Sequence, residues 1–319
     1  MAIGDVGTFS GFGTGKGTGV VREDLYGVIS NIDPTEAPAF NSFPRSKCLA
    51  PTHQWLTEGL AATSTAGAVE GEDWGVATYT TSRPSRLENY TVITRKDIQA
   101  TETLRAVDTA GFKDAYQREV AKAMREVVRN SEVMLWQVPS GSSNTGASNA
   151  ARILRAFQYW QTATALNVSL TGGLSAANFN TAMMTAWNNG AMPEQCYVGG
   201  PLKRVISGFS ATQQNRNIVA AEKRLINVID FYDTDFGPVE MVLDRWVTTA
   251  AASGSSAYAL GNHLWLLTKG MNRISMLRPL MHVLIGKRGD SVAGFVLQEW
   301  TLEVLNPSAN YFVWGLPSS

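Results

Sequence analysis

The stretch SGFGTGKGTG, residues 10 to 19, sets five glycines (Gly11, Gly13, Gly15, Gly17 and Gly19) around one cation, Lys16. Such a loop cradles phosphate when it reads G-x-x-x-x-G-K-[ST], because its backbone N–H groups then converge on the anion under the lysine. Aligned on Gly15-Lys16, that pattern puts Ser10 at the first glycine and Gly17 at the Ser/Thr position, and no apolar strand leads in. The dinucleotide pattern G-x-G-x-x-G, begun at Gly11, needs glycine where Lys16 stands. Both patterns fail. The stretch reads as an arm that cannot bury enough apolar surface to order itself. A cytoplasmic nucleotide-dependent enzyme using this loop is the alternative.

Other chemistry is thinner. VGGP (198–201) follows a strand and opens a helix, so its amides could form an anion nest; a tight turn using glycine's backbone freedom accounts for it more simply. DFYDTDFG places Asp230, Asp233 and Asp235 together, but a calcium loop needs a ligand where Gly237 stands, so a hairpin turn is the better account. His53, His263 and His282 are not paired at metal spacing. GFSAT (208–212) misses the nucleophile elbow G-x-S-x-G. KRGDS (287–291) reads as a turn between strands; adhesion through Arg288-Gly289-Asp290 would need an export signal, and MAIGDVGTF shows none. No catalytic, metal or cofactor set is expected.

Composition bounds the class. The chain has 319 residues, 44% hydrophobic and 17% charged, with Lys plus Arg equal to Asp plus Glu at 27 each. A broad nucleic-acid-binding face would carry a basic excess, and zero net charge suits packing against copies of itself. Cys48 and Cys196 are far apart and read as two reduced thiols. No run is long enough for a membrane helix.

The elements that would position these residues come in a distinct order. After the glycine-rich arm, DPTEAPAFNSFP is extended and turning, held from helix by Pro34, Pro38 and Pro44. THQWLTEGL and SRLENYTVITRKDIQ read as strands; Tyr90, Val92, Thr94 and Ile98 share one parity. Between them lies a small, polar, flexible segment, and a two-stranded projection of this kind needs a neighbour to lie on. Residues 109–136 predict a helix about 40 Å long, capped by Asp108, with Phe112, Tyr116, Val120, Ala123, Val127 and Met134 on one face and Asp114–Arg118 and Lys122–Glu126 on the other. ARILRAFQYWQT is strand-like. SAANFNTAMMTAWNNG is helical from a Ser175 cap, QCYV is a strand, and PLKRVISGF opens on Pro201. VAGFVLQEWTLEVLNP is a long strand with Val296, Trp300, Leu302 and Val304 on one face and Glu299, Thr301 and Glu303 on the other. Trp55 and Trp74 sit in the projection, where either the domain body or another subunit could cover them.

This order of parts resembles the major capsid proteins of tailed bacteriophages, the Hong Kong 97-type fold. The segments LYGVISNIDPTEAPAFNSFPRSKCLAPTHQWLTEGL (25–60) and GFVLQEWTLEVLNPSANYFVWGL (294–316) carry the likeness most directly. It implies an α+β subunit: residues 1–48 an N-arm, 49–97 an extended β E-loop, 98–168 a P-domain with a spine helix at 108–137, 169–285 an α/β A-domain, and 286–319 a P-domain return strand. It implies assembly into hexamers and pentamers of an icosahedral shell around double-stranded DNA, in the virion, built in the host bacterial cytoplasm. Some members carry a helical scaffolding segment ahead of the arm that this sequence does not show; either it is removed before this numbering begins or scaffolding comes from a separate protein, and the resemblance implies the latter as a partner, with a portal, a decoration protein in some members, weak contact with packaged DNA, no cofactor and no membrane. Candidates for the assembly interface are Lys16 on the arm and Trp55, Trp74, Tyr79, Arg83 and Arg86 on the loop.

Overall fold

The computed structural model describes residues 33–60, 63, 65, 67, 70–71, 83–107, 114–138, 141, 143–147, 149–170, 172–209, 218–219, 224–225, 230–247, 262–287 and 289–317. In chain order, α1 (Pro38–Ser42), β1 (Arg45–Lys47), β2 (Thr52–Thr57), β3 (Ser85–Tyr90), β4 (Val92–Thr101) and α2 (Glu102–Ala106) lead to α3 (Ala115–Gln137). Then come α4 (Phe157–Trp160), β5 (Asn167–Ser169), α5 (Ala176–Asn188), β6 (Gln195–Val198) and α6 (Gly200–Phe209). The strands β7 (Ile218–Val219), β8 (Arg224–Leu225), β9 (Phe231–Thr234), β10 (Gly237–Leu243), β11 (Asn262–Leu267), β12 (Asn272–Leu284), β13 (Ser291–Val304) and β14 (Asn310–Leu316) complete it.

One sheet has the order β1-β12-β13-β4. The alternation read from sequence holds in β4: Val92, Thr94, Ile98 and Ala100 are buried and their neighbours exposed. On this sheet lies α3, with Tyr116, Val120, Ala123 and Val127 against Ile98, Ala100 and Val296. At 1.5 Å per residue its 23 residues span about 34 Å. The regular helix starts later than 108 or 109. Asp114 is extended (φ −132, ψ 113) and accepts from Tyr116 N at 2.9 Å, so it caps α3, and its Oδ1 also lies 3.7 Å from Arg105 Nε. Asp108, the expected cap, lies outside the described residues. Lys122–Glu126 does form, at 3.9 Å, and Lys96 joins Glu126 at 2.8 Å. Gly294 fits beneath the helix because a Cβ there would come within 2.1 Å of the Tyr116 hydroxyl.

The second sheet has the order β5-β14-β11-β6-β10-β9. Phe179, Ala182, Met183 and Ala186 of α5 and Leu202 and Ile206 of α6 pack on its strands. Ser175 caps α5 as expected, accepting from Asn178 N. Two strands change place relative to the expected domains. β12, within the expected A-domain range, belongs to the sheet that carries α3. β14, within the expected return segment, enters the six-stranded sheet between β5 and β11. A strand's partners are set by tertiary pairing, which local pattern does not encode.

An aromatic core joins the halves. Trp136, at the end of α3, stacks on Phe157 (5.1 Å) and meets Tyr197 and Trp265, and Trp265 stacks on Phe312 at 3.9 Å. This core explains why 151–162 is not a strand: its aromatic residues gain more by burying on Trp136 as the short α4 than by pairing in a ladder. Cys48 and Cys196 are free and buried.

Candidate assembly surface

β2 and β3 form the two-stranded base of the projecting loop, with Trp55 opposite Leu87 and Leu56 opposite Arg86. The two faces of this ribbon do different things. On the inward face, Trp55 is buried, packs on Trp160 with centroids 5.5 Å apart and donates from Nε1 to Val304 O at 2.9 Å. Asn89 is fully buried and joins three segments: its Nδ2 donates to Leu302 O (2.7 Å) and Arg155 O (2.9 Å), and its Oδ1 accepts from Arg155 N (2.7 Å). On the outward face, Leu56 is 67% exposed and Arg86 is exposed beside it; Arg83 and Leu60 are exposed where the ribbon leaves the body.

Two buried carboxylates on β13 fasten this base. Glu303 accepts from His53 of β2 (3.3 Å), Ser46 of β1 (2.9 Å) and Ser275 of β12 (2.9 Å), so one side chain ties the arm strand, the loop base and the sheet. The His53 contact, with the two hydroxyls, holds its carboxyl down at about 2. Glu299 is held by Arg152, by Arg278 Nε at 2.7 Å and by the Thr91 hydroxyl at 2.9 Å. The polar face of the long strand is therefore as buried as its apolar face.

The arm enters the body at α1. Five residues cannot hold a helix alone; here the first-turn amides are met from outside. Ala39 N and Phe40 N donate to the two oxygens of Glu132 on α3 at 3.1 and 2.6 Å, and Phe40 sits edge-on to Trp300. Just upstream, Glu36 pairs with Arg245 at 3.0 Å and its carbonyl accepts from Trp246 Nε1. Glu132 also accepts from Trp136 Nε1 at 3.0 Å.

Of the residues expected at an interface, Trp55 is covered by its own chain, through Trp160 and Val304. Arg83 and Arg86 are exposed. Lys16, Trp74 and Tyr79, and the glycine-rich stretch 10–19, lie outside the described residues. Sequence reasoning missed Leu56, Asn89, Glu132 and Glu303. Leu56 was findable, because a strand that buries Trp55 must turn Leu56 the other way. Each of the other three has partners more than 60 residues away, beyond any local signal. Among the described residues no group of three or more His, Cys, Asp or Glu gathers as a metal site.

The fold is shared with known structures. The cyanophage A-1(L) capsid subunit aligns at TM-score 0.64 with 10% identity, covering 93% of this chain and 97% of that one. The capsid protein of Myoviridae phage XM1 aligns at 0.61 with 10% identity, covering 92% and 97%. The holo-SrpI encapsulin complex from Synechococcus elongatus PCC 7942 aligns at 0.56 with 10% identity, covering 94% and 93%. A comparison with curated proteins found no match. The family model described as SU10 major capsid protein matches residues 8–317.

Proposed function

We propose how this chain, which belongs to the SU10 major capsid protein family, builds its shell. It is a structural capsid subunit of a bacteriophage, not an enzyme; it assembles with copies of itself, and its place is the virion capsid. In our reading the copies form hexamers and pentamers around double-stranded DNA. Residues 1–48 act as an N-arm and 49–97 as an E-loop, each reaching over adjacent copies. The sheet carrying α3 forms the P-domain and the six-stranded sheet the A-domain, with β12 and β14 assigned by their sheets. Partners in this reading are a separate scaffolding protein, a portal, a decoration protein and weakly held DNA, with assembly in the host bacterial cytoplasm. Zero net charge supports the weak hold on DNA.

One observation carries the E-loop assignment: the ribbon's inward face is fastened by Trp55 and Asn89, while its outward face presents Leu56 beside Arg86 to solvent. An apolar residue flanked by a cation on the uncovered face of a fastened ribbon is what a neighbouring subunit can cover, and many such contacts summed over a closed shell give collective stability. The test is negative-stain microscopy of Leu56→Asp/Arg86→Glu beside the wild type. The variant should keep the subunit's thermal transition and fail to close shells. Normal shells from the variant would remove the ribbon from the interface.

A further inference from the structure

The side of α3 turned away from the sheet carries a pattern of its own. Arg118, Lys122, Arg125 and Arg129 follow one another at i, i+4, i+7 and i+11. At 3.6 residues per turn these positions fall within about 60° of the helix circumference. They stand opposite Tyr116, Val120, Ala123 and Val127, which pack on the sheet. Arg118, Lys122 and Arg125 are exposed and Arg129 is half-buried. The row is about 16 Å long at 1.5 Å per residue. Four cations in the twelve residues 118–129 are a local excess in a chain whose net charge is zero.

The row is poorly neutralised. Glu119 and Glu126 lie along one flank, and each approaches Lys122 at 3.9 Å, the outer limit of an ion pair. Glu126 is engaged more closely by Lys96 of β4, at 2.8 Å. Among the described residues, Arg125 and Arg129 enter no ion pair. On the other flank, Gln117 and Ala121 are exposed and uncharged. None of the large apolar side chains exposed among the described residues lies on α3. A protein partner covers an apolar centre from which charges are depleted. Phosphate contacts ask for the reverse, a line of cations with no apolar centre.

We infer that Arg118, Lys122, Arg125 and Arg129 form a strip on α3 that contacts the phosphate backbone of duplex DNA without reading its bases. The inference rests on the reading above that the shell encloses double-stranded DNA, and it names where the weak hold is made. One strand of B-DNA carries a phosphate every 3.4 Å along the axis, so a row of about 16 Å faces about five of them. Three of the four side chains are arginines, whose planar guanidinium can take two phosphate oxygens at once. The strip is one helix face wide. A zero net charge is compatible with such a narrow contact, though not with a broad basic face. The uncovered side of α3 is thereby turned toward the interior of the shell.

The test is the salt dependence of binding between unassembled full-length subunits and a labelled mixed-sequence duplex of about 20 base pairs, read by fluorescence anisotropy from about 50 to 200 mM salt. Four phosphate contacts give a slope of log K against log salt of about −3.6, an affinity loss of about 150-fold over that range. Arg125→Gln/Arg129→Gln should bring the slope to about −1.8 and the loss to about 12-fold. Arg125→Lys/Arg129→Lys, which keeps the charge, should keep the wild-type slope. Arg204→Gln/Lys269→Gln removes the same charge from exposed positions elsewhere and should also keep it. Should the Gln pair not fold, Arg118→Gln/Lys122→Gln must give the same halving. A wild type that binds no duplex at about 50 mM salt, a slope unchanged in the Gln pair, or an equal fall in R204Q/K269Q overturns the strip. Poly-glutamate held more tightly than the duplex at equal salt overturns it in favour of an acidic protein partner. Nuclease-treated wild-type particles keep the two failures apart. Particles with no protected duplex remove the reading that the shell encloses DNA, and the proposal with it. Protected duplex together with an unchanged slope removes the strip alone.

Discussion

Trp55 closes the base of the projecting ribbon from within its own chain, through ring burial on Trp160 and one hydrogen bond to Val304 O. Trp55→Ala should lower subunit stability by about 3–5 kcal/mol, and Trp55→Phe, which keeps most of the ring contact and loses the bond, by about 1–2 kcal/mol; chemical denaturation of unassembled subunits reads both. Glu303 gives the subunit a pH signature in acid. Its folded carboxyl sits at about 2 against an ordinary 4.5, so its contribution is full above about 4.5 and lost as pH falls through about 2. The stability gap between wild type and Glu303→Gln should be constant near neutrality and shrink steadily below pH 4.5. A gap that persists unchanged into acid would mean that Glu303 acts by packing alone. None of this was legible at the residue level, because alternation places Glu299 and Glu303 opposite Trp300 and Leu302 but does not say whether the opposite face is wet.

Elements were the most legible level, because periodicity is local. α5 with its Ser175 cap, the buried parity of β4 and the long β13 all follow from side-chain spacing. The start of α3 did not. Asp108 and Asp114 are both acceptable caps by type, and the choice depends on Tyr116 reaching Gly294 and His282 on the sheet. Asp114→Ala should therefore cost about 1 kcal/mol in the subunit's unfolding free energy, while Asp114→Asn should cost only a few tenths. Equal losses in both variants would show that the ion pair with Arg105 matters, not the cap. The stretch 151–162 misled for a related reason: aromatic, β-prone residues were claimed by the core around Trp136, and packing outweighs a propensity worth under about 1 kcal/mol.

At the scale of the whole molecule, the two sheets, α3 and the aromatic core as described draw on residues between 33 and 317, and residues 1–21 lie outside the described residues. Deleting 1–21 should leave the subunit's thermal transition within about 2 °C of wild type, while particles made from it dissociate at lower denaturant concentration than wild-type particles. A subunit that unfolds on this truncation would place the arm in the core. The sequence by itself determined the order of parts, the helical and extended periods, the neutral charge and the failure of SGFGTGKGTG as a phosphate loop, since each depends on neighbours within a few residues. Only the tertiary structure decided that β12 pairs in the four-stranded sheet and β14 in the six-stranded one, that Trp55 turns inward, that two glutamates on β13 are buried fasteners, and that Glu132 accepts from Ala39 N and Phe40 N of the arm. Those contacts join residues from about 100 to 250 positions apart. Their free energy comes from burial and charge pairing, which exist only once the chain has brought distant segments together.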